Sequence, residues 1–537
     1  MSIISQQRKD TLLARGRKGI QGTSKVPFKD GSLLAFLYSA GLVVANMALV
    51  IWAHRAFTRA NWGLGGAMQI AGCFAITVCA VLGTRLLLRM LSPRLLLRNS
   101  RVCLLTIITL IAVGITACLQ RYTGLWLGEH NAVAVFLYPY AVVPALATLL
   151  LRQRRAGVAA GIGASMLMGM YETPRDNAPL VVFFLGILTA MILPYLLTNI
   201  RKRIRLLRAL MLSSLLLLVG VYIFSSMSPE RVGQAATLFF DGRLHYAIGL
   251  QVAACLVGSV AYTVLILVIL PLFERFFGVC SDIALNGFAD LSNPLLERLA
   301  TEAPGTYTHC LTTATIATAA ADRIDASALL VRVGCFYHDV GKLGAPPMFI
   351  ENTTPERNPH NTLNPSTSAT WVRSHVKDGV VLAHKAGLPP AVIDIIRQHH
   401  GTTPMSFFLQ RAREQAKAEE SRQPQRMPRV LVDESQFRYE GPRPATKEAA
   451  IVMLADSVEA AGRSLANGSP SAIDHLVETI VETKLKDGQL DDTPLTLLEL
   501  TAIKKAFVAS LGTILHVRMR YPKEEKKDEK PDAPPTL

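Results

Sequence analysis

The feature that most constrains the fold is a series of eight apolar runs in the first half of the chain. They lie at about 34–54, 67–88, 102–120, 133–151, 156–171, 178–199, 209–227 and 246–273. A membrane-spanning helix needs about 20 apolar residues, and each run is near that length, although 156–171 is short. A single run could be a buried core helix, but eight runs with almost no internal charge indicate a polytopic helical membrane domain.

Basic residues are distributed unevenly among the segments that flank these runs. Twenty Lys and Arg lie in the N-terminal tail and the even-numbered gaps, against six in the odd-numbered gaps. Positive residues stay on the cytoplasmic side, so we expect a cytoplasmic N-terminus, and eight crossings return the chain to that side. The net charge of +16 then reflects contact with anionic lipid headgroups, not binding of a nucleic-acid polymer.

Changes in polarity along the chain predict five segments of an all-α protein. They are a basic cytosolic tail (1–33), a transmembrane helical domain (34–273), a connector helix (274–303), a cytosolic helical domain (304–520) and a disordered tail (521–537). The connector could transmit motion or pair with its copy in a homodimer, and a plain spacer is an equally good interpretation. The last segment is too polar to bury a core.

The cytosolic domain carries an ordered set of His and Asp residues. Five of the twelve histidines belong to it. Its members, in chain order, are His309, His338, Asp339, His375, His399, His400 and Asp456. Imidazoles and carboxylates are natural ligands of borderline divalent metals, and open positions between them create a hydrolytic site. Seven candidate ligands are too many for one metal and suit two.

Helix-starting residues predict the helices that carry these ligands. Those expected to begin them, in chain order, are Thr306, Asp325, Asn364 and Thr446. His399 and His400 are expected at the end of a further helix, where consecutive side chains differ by about 100° in direction, so one of them could be structural. Asp456 shares an apolar stripe, which is costly unless the carboxylate is paired or metal-bound. A core Asp bonded to a neighbouring hydroxyl is the alternative.

Longer strings around these residues resemble the HD-domain phosphohydrolases, and in particular the membrane-anchored 7TM-HD family, whose characterised members are PgpH-type cyclic di-AMP phosphodiesterases. The strings that carry the resemblance are Ala303-Pro-Gly-Thr-Tyr307, Tyr337-His-Asp-Val-Gly-Lys342, Phe349-Ile-Glu-Asn352, Asn358-Pro-His360, Ser374-His-Val-Lys-Asp-Gly379, Gln398-His-His-Gly401, Phe437-Arg-Tyr-Glu-Gly-Pro442 and Thr446 to Ala460. They cover the whole cytosolic half in the right order, and the membrane half matches more loosely.

The resemblance implies a site with two divalent transition metal ions, most simply Fe or Mn. One metal would be held by His309, His338, Asp339 and Asp456, and the other by Asp339, His375, His399 and His400, with Asp339 bridging. Lys342 would neutralise charge on the phosphate as a catalytic residue. The implied protein lies in the bacterial plasma membrane and hydrolyses cyclic di-AMP to pApA by a hydroxide that the two metals activate.

The chain departs from the family pattern at three places, none of which removes a ligand. Only about residues 55–66 occupy the gap where relatives have a large extracellular domain, Gly344 to Pro347 offers no basic residue, and Asn361 stands where Asp is common. The first departure leaves ligand-gated regulation from outside without an obvious sensor.

Three other functions remain open at this point. One is an HD enzyme for cyclic di-GMP or a phosphorylated nucleotide, although Gly401-Thr-Thr-Pro404 lacks the Gly-Tyr-Pro string of the cyclic di-GMP branch. A second is a non-catalytic nucleotide-binding membrane receptor, against which the full ligand set argues. A transporter would require ionisable residues within the spans, and few are present.

Overall fold

The structure is a computed structural model that describes residues 32–57, 64–96, 99–126, 136–171, 178–198, 200, 202–226, 243–422, 432–465 and 469–517. These residues form α-helices and short 3₁₀ turns without a named strand, which confirms the all-α prediction. The tails predicted at 1–33 and 521–537 lie outside the described residues apart from the first two residues of α1. The described residues divide into two compact units, 32–290 with 389–391, and 291–388 with 392–517.

The first unit contains one α-helix in each apolar run, followed by a short helix. Their bounds are α1 Ser32–Phe57, α2 Leu64–Leu91, α3 Asn99–Trp126, α4 Val142–Leu151, α5 Arg154–Gly169, α6 Ala178–Leu196, α7 Arg203–Ser226, α8 Arg243–Phe277 and α9 Asp282–Phe288. Four helices contain stretches long and apolar enough to cross a membrane, namely Leu34–Trp52, Ile70–Leu91, Asn99–Tyr122 and Gly249–Phe277. The described residues therefore include a membrane domain with at least four candidate spans.

The count of eight spans is not confirmed, because α4, α5, α6 and α7 are not among the candidate spans. Helix α4 has 10 residues, which corresponds to about 15 Å, or half of the hydrocarbon core. Arg152 adopts the left-handed conformation with φ 55° and separates α4 from α5. The basic segment 152–155 between the predicted runs 133–151 and 156–171 marks this break in the sequence, but α4 begins at Val142, nine residues after its run begins. The predicted orientation depends on an even count and stays a prediction.

The second unit is built from nine α-helices in its described residues. Their bounds are α10 Pro294–Glu302, α11 Pro304–Arg323, α12 Ala328–Tyr337, α13 Pro365–Lys385, α14 Pro390–Gln398, α15 Ser406–Arg422, α16 Lys447–Gly462, α17 Pro470–Lys486 and α18 Leu497–Val517. Helix α11 is central, because it packs against α12, α16 and α18. Five short 3₁₀ segments lie between Val340 and Asn361.

The predicted connector of residues 274–303 is not one helix. It is divided among the end of α8, α9 and α10. Gly278, with φ 62°, follows α8 in a conformation that glycine adopts without steric cost. Pro294 then starts α10, behind the capping side chain of Asn293.

Two of the four expected helix starts are correct. The side chain of Asn364 caps α13 and that of Thr446 caps α16. The other two are wrong: α11 begins at Pro304, and Ser327 caps α12. Thr306 instead donates its hydroxyl to Glu351, and its backbone N–H bonds the side-chain oxygen of Asn352. A tertiary contact thus replaces the local cap.

A close backbone approach sets the turn that follows α12. Gly341 lies so near α13 that a Cβ atom on it would stand 1.8 Å from the carbonyl oxygen of His375. Only glycine allows this contact, which brings the segment after Asp339 against the helix that carries His375. The glycine of the His-Asp-Val-Gly-Lys string therefore serves packing at the site.

Candidate metal centre

The seven predicted ligands converge into two neighbouring groups in the second unit. We call His309, His338 and Asp456 the first group, and Asp339, His375, His399 and His400 the second group. Within each group, one potential ligand atom of every residue lies within 4.8 Å of those of the others. All seven are buried except His400, whose side chain is 20% exposed. Helices distant in sequence thus deliver these side chains to one place.

The two carboxylate oxygens of Asp339 lie near histidines of different groups. Its Oδ2 lies 3.2 Å from His338 Nε2 and 3.6 Å from His309 Nε2. Its Oδ1 lies 3.4 Å from His375 Nε2 and 3.7 Å from His399 Nε2. This carboxylate has the geometry of a bridging ligand.

Asp456 also extends between the groups, which the sequence did not predict. Its Oδ1 lies 2.9 Å from His309 Nε2, and its Oδ2 lies 3.7 Å from His400 Nδ1. The alternative of a core Asp bonded to a hydroxyl does not describe these contacts. Imidazole nitrogens surround the carboxylate instead.

The rings of three histidines are oriented by the same kind of local hydrogen bond. The Nδ1 atoms of His338, His375 and His399 lie 2.8, 2.5 and 2.7 Å from the carbonyl oxygens of the residues three positions earlier. Because Nδ1–H donates to that carbonyl, Nε2 of the neutral ring keeps its lone pair. In each case this Nε2 faces Asp339. The backbone therefore selects the tautomer that binds a cation at Nε2.

His309 is oriented by a carboxylate that sequence reasoning missed. Its Nδ1 lies 2.5 Å from Glu459 Oε2, and Glu459 Oε1 accepts a hydrogen bond from Arg463 at 2.9 Å. Glu459 is buried. Carboxylates behind ligating histidines fix the ring and raise its basicity. A signal was present, since Glu459 follows Asp456 by three positions on one face of α16.

His399 and His400 both belong to the second group, although consecutive residues on a helix point in different directions. Helix α14 ends at Gln398, so both histidines lie in the turn that follows it. Their ring centroids are 4.0 Å apart. The turn removes the reason to treat one of them as structural.

Two buried polar atoms at the centre have no hydrogen-bond partner among the described residues. They are His338 Nε2 and Asp339 Oδ1. Leaving such groups unpaired costs about 1–3 kcal/mol each. Cations bound by the imidazole and carboxylate donors would satisfy both atoms. The residues present therefore fit a pair of divalent metal ions.

Lys342 is held between two carboxylates beside the centre. Its Nζ lies 2.7 Å from Asp339 Oδ2 and 2.6 Å from Glu351 Oε1. Burial alone would lower the pKa of this ammonium, but the two carboxylates raise it above its ordinary value. Sequence reasoning missed Glu351, although it lies within the quoted Phe349-Ile-Glu-Asn352 string. Lys342 therefore stays charged next to Asp339.

The two groups differ in the charge of their imidazoles. Burial alone would lower the pKa of His309, but hydrogen bonds with Asp456 and Glu459 raise it to about 9. Burial likewise opposes the effect of Asp339, which raises the pKa of His338 well above its ordinary value. In the second group, burial and repulsion from His338 lower the pKa of His399 to about 3. Burial also lowers the pKa of His375. Burial and repulsion from His399 lower the pKa of His400 well below its ordinary value.

Comparison with known families matches both units. The model of the HD domain matches residues 306–461. The model described as "7TM receptor with intracellular HD hydrolase" matches residues 67–281. Together they cover more than half of the chain.

Two curated relatives are similar over most of the chain. The cyclic-di-AMP phosphodiesterase PgpH of Bacillus subtilis is 33% identical over 80% of this chain and 57% of its own length. Its namesake in Listeria monocytogenes is 31% identical over 78% of this chain and 55% of its own length. The chain thus spans little more than half the length of these relatives.

Solved structures of the L. monocytogenes PgpH HD domain, alone and in complex with cyclic-di-AMP, are also similar. Each is 40% identical, and the match covers 42% of this chain and 100% of theirs, with a TM-score of 0.38.

Proposed function

This chain belongs to the 7TM-HD family of membrane proteins with an intracellular HD hydrolase domain, and we propose that it is a metal-dependent phosphodiesterase that hydrolyses cyclic di-AMP to pApA. The observation that carries the proposal is the position of Asp339, whose two oxygens face different groups of histidines. Such a carboxylate can hold two cations side by side, as in the two-metal enzymes that cleave phosphate esters.

The proposed ligand set assigns four residues to each cation. His309, His338, Asp339 and Asp456 would hold one, and Asp339, His375, His399 and His400 the other. Two cations held in this way supply Lewis acidity to the phosphate and lower the pKa of a water molecule toward neutrality. A donor set rich in histidine, with few carboxylates and no thiolate, favours Fe or Mn as the physiological metal.

The residues around the metals would orient the scissile phosphate and neutralise its charge. Lys342 is buried beside Asp339 and keeps its proton, so its ammonium can face the non-bridging oxygens where negative charge develops. Glu351 would hold Lys342 in that position. The backbone bonds at Nδ1 would keep His338, His375 and His399 from turning away when substrate binds.

The adenine preference rests on the names of the relatives, both of which are cyclic-di-AMP phosphodiesterases. The cytoplasmic placement of the HD domain rests on the distribution of basic residues around the apolar runs. Both are parts of the proposal.

The test uses the full chain, purified anaerobically in detergent and loaded with Mn²⁺ or Fe²⁺. Cyclic di-AMP and cyclic di-GMP are supplied separately, and linear products are quantified by chromatography. We expect turnover of the adenine substrate, loss of at least about 10³-fold in Asp339→Ala because both cations lose a ligand, and wild-type turnover in Asp474→Ala, an exposed carboxylate of α17.

Each proposed element has an outcome that contradicts it. Hydrolysis that is equal in Asp339→Ala would overturn the metal mechanism. Turnover of cyclic di-GMP alone would overturn the base preference. Tight binding of cyclic di-AMP without any turnover would favour the non-catalytic receptor.

A further inference from the structure

A cleft of about 330 Å³ opens beside the second group. One wall is a stripe of α13 formed by Arg373, Val376, Lys377 and Val380, which share a helix face at spacings of three and four. The opposite wall includes His400 and Tyr439. Arg397 of α14 also lines the cleft, which thus combines three cationic side chains with an apolar surface.

We infer that this cleft holds the half of a cyclic dinucleotide that is not being cleaved, with its phosphate at Arg373 and Lys377. The inference rests on the proposed function and adds a substrate subsite to it. A cyclic dinucleotide carries two phosphodiesters on one ring of covalent bonds. When one of them lies on the metals, the other is turned away from them and still bears a negative charge that needs a partner.

The cleft is continuous with the metal centre through His400. This residue contributes to the second group and also lines the cleft. The ring of Tyr439 stacks on it, with centroids 4.1 Å apart and an interplanar angle of 24°. Tyr439, Val376 and Val380 therefore offer an apolar surface on which a nucleobase can stack immediately beside the reacting phosphate.

An acidic residue now occupies the position that the second phosphate would take. Glu440 Oε2 lies 2.9 Å from Lys377 Nζ, and Glu440 Oε1 lies 3.7 Å from Arg373 Nε. The side chains of Lys377 and Glu440 are 70% and 52% exposed. Because water screens an exposed ion pair and makes it weak, an incoming phosphate can displace this carboxylate at little cost.

Of the two basic residues on this face of α13, Arg373 is the better anchor for a phosphate. Its side chain is 24% exposed, and its Nη1 donates to the carbonyl oxygen of Arg438 at 3.4 Å. That contact restrains the guanidinium, whose planar fork matches the oxygens of a phosphate. Lys377, which is more exposed, adds charge without fixed geometry.

The test compares two substrates on the metal-loaded full chain. Cyclic di-AMP has a second phosphate, whereas bis(p-nitrophenyl) phosphate has one phosphodiester only. In Arg373→Ala combined with Lys377→Ala, we expect the KM for cyclic di-AMP to rise at least about tenfold, since each lost phosphate contact removes a charge-assisted hydrogen bond. The ratio of kcat/KM for cyclic di-AMP to that for the small ester falls by the same factor.

Two further variants sharpen the assignment. Glu440→Gln removes the competing carboxylate and is expected to lower the KM for cyclic di-AMP about two- to fivefold. Lys385→Ala removes an exposed cation from the same helix outside the cleft, and both substrates should behave as with the unsubstituted chain. A general loss of folding would not raise the KM for cyclic di-AMP in the double variant and lower it in Glu440→Gln.

Three results would overturn the subsite. In the first, the double variant keeps the KM of the unsubstituted chain for cyclic di-AMP. In the second, the double variant loses activity equally on both substrates. In the third, Glu440→Gln weakens binding. A wild-type chain that hydrolyses the small ester but neither binds nor hydrolyses cyclic di-AMP would instead overturn the proposed function, and the subsite with it.

Discussion

The two groups of the candidate metal centre contain the same residue types, but their surroundings favour different protonation states of the imidazoles before a cation binds. In the first group, carboxylates raise the pKa of His309 to about 9 and that of His338 well above its ordinary value against the effect of burial. In the second group, burial dominates and lowers the pKa of His399 to about 3. Without a cation, the carboxylates thus favour protonation of the imidazoles in the first group, and burial favours neutral imidazoles in the second.

The number of carboxylates facing each imidazole accounts for this difference. Asp456, Asp339 and Glu459 all lie within 3.6 Å of His309 nitrogens. His399 meets one carboxylate oxygen, that of Asp339, at 3.7 Å, and it also contacts the carbonyl oxygen of Ile396 and other imidazoles. A cation entering the first group has to displace protons, whereas the second group is ready to bind.

The largest expected effect comes from removing one ligand from each half in turn. His309→Ala and His399→Ala should each reduce the bound metal from two ions to one and lower kcat by about 10² or more, since both cations take part in the reaction. Metal content by elemental analysis and turnover of cyclic di-AMP give the two readouts.

The same pair of variants tests whether the imidazoles of the two groups differ in protonation. The chain that keeps the first group should release more protons per Mn²⁺ bound than the chain that keeps the second, in a weakly buffered titration near neutral pH. Equal release from both variants would contradict the assigned charge states.

A smaller effect is expected from the carboxylate behind His309. Glu459→Gln should weaken one of two metal-binding steps by about 10- to 100-fold and leave the other unchanged. Glu482→Gln, on the exposed face of α17, is the matched control. A shift of both steps, or of neither, would show that Glu459 does not act through the first group alone.

The smallest effect concerns the stability of the metal-stripped protein at different pH. A raised pKa means that the contribution of His309 is fully present below about pH 6.5 and is lost as the pH rises toward 9. A lowered pKa means that the contribution of His399 is present above about 6.5 and is lost as the pH falls toward 3. Each limb is expected to be on the order of 1–3 kcal/mol.

Thermal unfolding midpoints of the chelator-treated chain, measured from pH 4.5 to 9, check this expectation. His309→Gln should flatten the alkaline limb and His399→Gln the acidic limb. A stability that rises steadily across the whole range would contradict the comparison.

The sequence was most informative where a residue type is chemically unusual for its surroundings. Asp456 on an apolar stripe and the His338–Asp339 doublet at a helix end have few uses other than ligation, and the structure brings them together. Glu459 was overlooked because an acidic residue near a helix end looks like a solvated one until its burial is known. The choice of ring nitrogen depends on backbone carbonyls, which composition does not encode.

Other features were decided by contacts between distant segments. Thr306 is a good capping residue by local rules, but its hydroxyl bonds Glu351 instead. Asp325 adopts a positive φ of 52° and leaves the cap to Ser327. The count of eight spans is not confirmed, because α4 covers only 142–151 of the run predicted at 133–151. Local patterns identify helices well and their ends less well.

The contact between His309 and Asp456 joins positions 147 residues apart in the chain. A cation held by both would tie α11 to α16 and favour the folded form by mass action. In a cell short of that metal, more of the chain would occupy opened forms that proteases degrade. If the chain has the proposed function, metal supply would then affect the abundance of the protein as well as its turnover number.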